Sequence, residues 1–147
     1  MLLFRKMQKE DLDMIHQIEE ENFSMPWSKA DFEEELKNPS AIYLVAELDG
    51  VVVGFCGLWN ILNEGHITNI AIKKEHQTQG IGTKLIKSLI DYSKEKKIEA
   101  LTLEVRVSNI KAQHIYEKLG FTNGGLRKDF YQYPKEDAII MWNNIIK

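Results

Sequence analysis

The stretch "HQTQGIGTKLIKSLI", residues 76–90, decides the reading of this chain. Gly80 and Gly82 follow an apolar run (Ile70, Ala71, Ile72) and precede a helical pattern in which Leu85, Ile86, Leu89 and Ile90 share one face. A glycine turn between a strand and a helix is either a tight connection or a cradle for phosphate. The first N–H groups of a helix have no partner within it, and the macrodipole makes that end positive. Bare backbone there can hold a pyrophosphate largely through main-chain donors. Gln77 and Gln79 add neutral side-chain donors, and Lys84 adds a charge. No Gly-Lys-Ser/Thr follows, so the turn is not a Walker loop, and the third glycine of a dinucleotide fingerprint is missing. On the two glycines alone, the plain tight turn is favoured.

Outward from this turn the pattern is regular. Upstream, "LLFRKM" is a short strand, and Leu12, Ile15 and Ile18 recur at helical spacing with Asp11 placed to cap that helix. "FSMPWS" is a loop. Ser28 and Asp31 form a capping box for a second helix that turns Phe32 and Leu36 inward and ends at "NPS". "AIYLVAEL", Asp49-Gly50 and "VVVGFCGLW" make a hairpin, because Asp-Gly readily supplies positive φ angles. "HITNIAI" is a further strand with a parity conflict: Ile67 lies opposite Ile70 and Ile72 unless a β-bulge intervenes.

Downstream, "ALTLEVRV" alternates, with Leu101, Leu103, Val105 and Val107 on one face. Asn109 opens a helix carrying Ala112, Ile115, Tyr116 and Leu119, and Gly120 ends it. Two more strands are expected around 122–131 and 137–146. The order is strand, two helices, three strands, helix, strand, helix, two strands. It predicts one α+β (α/β) domain over 1–147, with a mixed, mostly antiparallel sheet flanked by about four helices.

Composition narrows the function. Apolar residues are 44% and charged residues 28% of the 147, an ordinary globular balance. A net charge of −3 argues against non-specific nucleic-acid binding, which needs a basic surface. Cys56 is the one cysteine, so neither an intrachain disulfide nor a multi-cysteine metal site is expected, and the four histidines show no metal-ligand spacing. No apolar run approaches the ~20 residues of a membrane span. "MLLFRKMQKED" turns charged too early for a signal peptide. The expectation is a cytoplasmic protein without a metal.

Gln-x-x-Gly-x-Gly between a strand and a helix resembles the acetyl-CoA pyrophosphate loop of the GCN5-related N-acetyltransferase superfamily. "SNIKAQHIYEKLGF" resembles its later asparagine–tyrosine helix, one helix and one strand downstream. "FSMPWSKADF", "NIAI", "LEVRVSN", "YEKLGF" and "EDAIIM" are similar to the ribosomal-protein alanine N-acetyltransferases, from about residue 10 to residue 142. Those enzymes acetylate the N-terminal alanine of a small-subunit ribosomal protein. The chain departs from many relatives at Gln77, Thr78 and Gln79, where arginines are common, and at Phe130, where a tyrosine is common.

The resemblance implies acetyl-CoA as co-substrate, held by Ile70, Ala71 and Ile72 along the pantetheine arm. Gln77, Thr78, Gln79, Gly80, Ile81, Gly82 and Thr83 would hold the pyrophosphate, and Asn109 would make a further polar contact. It places Glu104 at the proton acceptor's position and Tyr116 at that of the acid protonating the coenzyme sulfur. From strand pattern alone Glu104 would be a solvated carboxylate paired with Arg106, and Tyr116 a core tyrosine. Partial burial is expected to raise the Glu104 pKa. Pro26, Trp27, Glu64, His66 and Tyr131 are candidates for the acceptor groove, with Trp27 equally a core anchor.

A cysteine in the apolar strand is more readily core filling than a nucleophile, so direct transfer in a ternary complex is expected. An α-amine, pKa ~8, needs less deprotonation work than a lysine, pKa ~10.4. Two alternatives stand beside the ribosomal N-terminus. One is acetylation of a small amine such as a polyamine or aminoglycoside. The other is a non-catalytic coenzyme-A-binding partner module, against which the joint presence of Glu104 and Tyr116 speaks.

Overall fold

The computed structural model describes residues 1–146. Seven strands form one sheet in the order β1-β2-β3-β4-β5-β7-β6. They are β1 (Leu2–Lys6), β2 (Ala41–Leu48), β3 (Val51–Ile61), β4 (Glu64–Ile72), β5 (Ala100–Arg106), β6 (Thr122–Gln132) and β7 (Lys135–Asn144). The helices are α1 (Leu12–Asn22), α2 (Lys29–Lys37), α3 (Ile81–Glu95) and α4 (Ile110–Lys118). Every adjacent pair of strands is antiparallel except β4 and β5.

The β2–β3 hairpin turns at Asp49 (φ 50°) and Gly50 (φ 86°), the paired positive angles the dipeptide was expected to supply. The parity conflict in β4 is resolved by a bulge. Gly57 pairs with Asn69 but Leu58 pairs with Ile67, so Thr68 is an extra residue. Ile67, Ile70 and Ile72 consequently serve one core and Ala71 the other.

Those two cores lie on opposite faces of the sheet. On one face α3 buries Leu85, Ile86 and Leu89 against Val53, Leu58, Leu101 and Leu103. On the other, α1 and α2 bring Leu12, Ile15, Ile18 and Phe32 onto Tyr43, Val45 and Phe55. Phe32 meets the Phe55 ring edge-on at 5.6 Å. Ser28 and Asp31 cap α2 reciprocally, at 3.0 and 3.1 Å, as their spacing indicates.

Asp11 does not cap α1 as expected. Its carboxylate is taken by the Gln8 N–H (2.7 Å) and by the Arg5 guanidinium (2.8 and 2.9 Å), which closes a short 3-10 turn ahead of the helix. The face of α4 read as core is only partly buried, because that helix borders a cleft.

The cleft follows from the sheet itself. Strands β4 and β5 pair only at Glu64–Ala100, Gly65–Leu101 and His66–Thr102. Beyond the bulge they part. The Lys73 N–H is spent on Val53 in β3 (2.7 Å), so strand alternation turns the peptide groups of Ile70 and Ile72 toward the gap.

Candidate active site

Two cavities open along the parted strands. The larger, about 850 Å³, lies between α1, the 23–28 loop, β4, β5 and the β6–β7 hairpin tip. The smaller, about 400 Å³, runs along Ile70 and Ile72 to the glycine turn. Ile70, Ala112 and Tyr116 line both, so the cavities meet beside the Tyr116 ring.

In the glycine turn, Thr78 (φ 71°) and Gly80 (φ 81°) both take left-handed backbone conformations. The first helical bond of α3 runs from the Lys84 N–H to the Gly80 carbonyl. The N–H groups of Ile81, Gly82 and Thr83 therefore have no intrahelical partner, and Gly80 offers no capping side chain. The two glycines have different reasons to be there. Gly80 is needed for its positive φ. Gly82 is not, and a Cβ on it would meet only Ile72 Cγ1, at an unstrained 3.6 Å. The protein's own packing leaves position 82 free, which fits close approach by a phosphate. The Gln77 side chain is not a free donor: its Nε2 bonds the Ile72 carbonyl and Asn22 Oδ1, both at 3.0 Å. Lys111 supplies a cationic side chain to the same cavity, and His76 an imidazole.

The turn yields a prediction with two readouts. Gly82→Asp should weaken acetyl-CoA binding about tenfold while leaving the melting temperature unchanged or slightly higher. A carboxylate at the first turn of α3 suits the helix dipole but would repel a pyrophosphate. Titration calorimetry and thermal melting on the same samples check this. Unchanged affinity would make the turn a plain connection.

In the larger cavity, Glu104 is not the solvated partner of Arg106. Its side chain is 10% exposed, and Oε1 lies 2.6 Å from His66 Nε2. Arg127 approaches the other oxygen at 3.9 Å. The pKa shift is opposite to expectation. The His66 hydrogen bond holds the carboxyl below its ordinary range and outweighs the upward push of burial. Arg106 is engaged elsewhere. It donates to the carbonyls of Tyr133 and Pro134 and to Glu136, and it stacks 4.1 Å over the Tyr131 ring. It thereby ties down the hairpin tip, which Ser24 Oγ reaches from the facing loop (3.2 Å, to the Tyr133 carbonyl). Burial pushes the Tyr131 phenol up to about 12, although Arg106 opposes the shift.

Tyr116 is partly buried, packs edge-on against Phe121 at 5.7 Å, and makes no hydroxyl hydrogen bond among the described residues. Burial raises its phenol well above the ordinary value, and the neighbouring Tyr131 and Cys56 add to the shift. Asn109 caps α4 through Oδ1 (3.1 Å to the Ala112 N–H) and shares the larger cavity with Tyr116. Trp27 both lines that cavity and packs on Phe32 at 5.3 Å.

Two expected groove residues lie outside the lining. Pro26 is exposed on its loop, and Glu64 sits where β4 still pairs with Ile61 and Ala100, at the closed end of the strand pair. Glu19 is among the lining residues that the sequence did not single out. Glu19 is 2% exposed, with Oε2 accepting the Trp27 N–H (3.0 Å) and Oε1 unpartnered among the described residues. Burial raises its carboxyl. Position 19 falls one turn after Ile15 on the apolar stripe of α1, and a carboxylate in such a stripe was the available signal.

Cys56 is buried and burial pushes its thiol pKa up, which leaves no nucleophile there. Among the described residues, no group of three His, Cys, Asp or Glu side chains is placed to hold a metal ion. No described helix is long and apolar enough to cross a membrane.

The sequence profile of the acetyltransferase (GNAT) family matches residues 12–121. This chain belongs to that family. Membership implies acetyl-CoA as co-substrate. A family member of Bacillus subtilis (strain 168), provisionally named a ribosomal protein bS18-alanine N-acetyltransferase, is 47% identical over 142 residues, 96% of this chain and 94% of its own length. The ribosomal protein bS18-alanine N-acetyltransferase of Escherichia coli (strain K12) is 36% identical over 135 residues, 89% of each chain. The crystal structure of the ribosomal-protein-S18-alanine N-acetyltransferase from Escherichia coli superposes with a TM-score of 0.91 at 31% identity, covering 99% of this chain and 94% of that one. The fold is therefore the GNAT fold, as the resemblance of the glycine turn and the asparagine–tyrosine helix implied.

Proposed function

We propose that this protein is a cytoplasmic, acetyl-CoA-dependent N-terminal acetyltransferase whose acceptor is the N-terminal alanine of ribosomal protein bS18. Residues 1–147 form its one N-acetyltransferase domain. The meeting of two cavities at Tyr116 carries this reading. A coenzyme laid from the glycine turn along Ile70 and Ile72 brings its thioester to the junction from one side. A chain terminus entering between the 23–28 loop and the β6–β7 hairpin reaches it from the other. With no accessible thiol in the path, transfer is direct within a ternary complex.

The roles follow from position. The unpartnered N–H groups of Ile81, Gly82 and Thr83 take the pyrophosphate, and the peptide groups of Ile70 and the N–H of Ile72, whose carbonyl is already taken by Asn22 and Gln77, pair with the pantetheine arm. An N–H near Ile72 polarises the thioester carbonyl. Glu104 supplies the negative charge that favours removal of the amine's proton, and Tyr116 returns one to the sulfur. The names of the E. coli and B. subtilis relatives supply the acceptor.

A peptide beginning Ala-Arg should be acetylated at its α-amine. The same peptide with a blocked terminus and an internal lysine should react at least ~10²-fold more slowly. That terminus ionises at ~8 against ~10.4 for lysine, so at neutral pH the free-amine fractions alone differ by about this factor. Mass spectrometry of both reactions locates the acetyl group. Comparable rates, with acetyl-lysine found, would overturn the assignment.

A further inference from the structure

We propose that His66 is the first acceptor of the amine's proton, with Glu104 fixing the tautomer of its ring and stabilising its charged form. This inference rests on the proposed transfer to an amine and refines how that amine is deprotonated. His66 and Glu104 stand on adjacent parallel strands. His66 is in register with Thr102, so Glu104, two residues on, projects from the same sheet face. The opposite face of β5, with Leu103 and Val105, belongs to the core. Both side chains line the larger cavity.

The geometry separates the roles. Glu104 Oε1 is 2.6 Å from His66 Nε2, and Arg127 stands 3.9 Å from Oε2. An ionised carboxylate only accepts hydrogen bonds, so Nε2 carries the proton between them. In the neutral ring Nδ1 is then the unprotonated nitrogen, and it makes no hydrogen bond among the described residues. The carboxylate therefore holds the imidazole in one tautomer, as a buried carboxylate does in hydrolase triads. Glu104 alone is a poor match for the task. It is engaged by a ring N–H, approached by a guanidinium and held below its ordinary pKa. An imidazole ordinarily titrates at ~6.5, much nearer the ~8 of an α-amine.

The remaining ionisable groups lining the cavity, among the described residues, are Glu19 on α1, Arg106 on β5, Tyr116 on α4, Tyr131 on β6 and Tyr133 at the β6–β7 turn. Glu19 is tied to the Trp27 loop, and Arg106 to the hairpin tip. Neither hydrogen-bonds to the His66 ring, whose side chain is 33% exposed and so has a route to solvent.

The proton balance closes. The ammonium gives one proton to His66 Nδ1, and its nitrogen lone pair forms the C–N bond to the acetyl carbon. As the C–S bond breaks, the sulfur takes the Tyr116 proton. The phenolate recovers a proton from the new amide nitrogen, directly or through water. One proton remains on His66 and leaves to solvent, which equals the one released overall.

His66→Gln keeps a side-chain amide donor toward Glu104 but cannot take up a proton. For an Ala-Arg peptide, kcat/KM should fall at least ~10-fold at pH 7. The deficit should shrink toward pH 9 as the free amine becomes neutral, with acetyl-CoA binding unchanged. A loss of the same size at every pH would make His66 a positioning residue, and a rate and pH profile like those of the parent would leave it no role. If only lysine is acetylated, the N-terminal reading fails, and the comparison on lysine, carried up toward pH ~10.4 where that amine becomes neutral, still decides for or against His66. A second measurement needs no turnover. Nitrogen-15 NMR at pH 8, with the His66 signals assigned by their loss in His66→Gln, should show Nε2 protonated and Nδ1 bare. A protonated Nδ1 in the neutral ring would overturn the proposal.

Discussion

Replacing Glu104 by glutamine should lower kcat/KM for an Ala-Arg peptide by ~10²-fold or more at pH 7, the usual scale for loss of acid–base assistance. The amide keeps the volume of a side chain that is only 10% exposed, so the fold should hold. What changes is the charge beside His66 and Arg127. A glutamine oxygen can still accept from Nε2, but it no longer compensates a charged imidazole, and an imidazolium formed there would stand near an uncompensated guanidinium. The loss should therefore be largest where the amine is mostly protonated and smallest at high pH. The low Glu104 pKa fixes a second feature. The carboxylate stays ionised until pH falls below the ordinary carboxylate range, so its own protonation adds no limb near neutrality. Steady-state rates between pH 5.5 and 9.5 on both proteins check this. Equal rates at pH 7 would return Glu104 to a surface of the strand with no part in turnover.

The features legible in the sequence are those whose cause is local. Asp49-Gly50 specifies its own turn, and Ser28 with Asp31 specifies its own cap. The bulge in β4 was legible because Ile67, Ile70 and Ile72 cannot otherwise share a core, and Thr68 proved to be the extra residue. The glycine turn was legible as a pair of motifs at the right separation, and the structure adds why each glycine is there.

The pairings inside the cleft were not legible. Arg106 stands two residues from Glu104 and reads as its partner, yet Glu136, thirty residues on, competes for it across the hairpin. The true partner, His66, lies 38 residues upstream, and it meets Glu104 only through the register of the one parallel pair in the sheet. No period or spacing within one strand carries that register. The same missing contact inverted the expected pKa shift, because burial alone would have raised it. Gln77 reads as a phosphate donor until the fold brings Asn22 and the Ile72 carbonyl to its amide.

Tyr116→Phe should lower kcat by ~10- to ~10³-fold with the KM for acetyl-CoA little changed. The ring fills the space beside Phe121 and the junction of the two cavities, and phenylalanine keeps that ring. The hydroxyl makes no hydrogen bond among the described residues, so its removal leaves no partner stranded and costs little stability. The coenzyme is held mainly at the glycine turn and along β4, elements the substitution does not touch. An interaction made only as the thiolate departs shows in kcat rather than KM. The range is wide because water can partly replace the acid and a thiolate, pKa ~8.5, is a tolerable leaving group. The direction of the phenol's shift sharpens the test. Burial raises its pKa above the ordinary ~10, so Tyr116 stays protonated over the working range. The parent enzyme should then show no loss of rate between pH 8 and 9.5 from this group, and the variant should run parallel below it. Following free thiol release directly across that range measures both features. A rise in KM for acetyl-CoA with kcat unchanged would make Tyr116 a wall of the coenzyme channel, and the proton for sulfur would come from water.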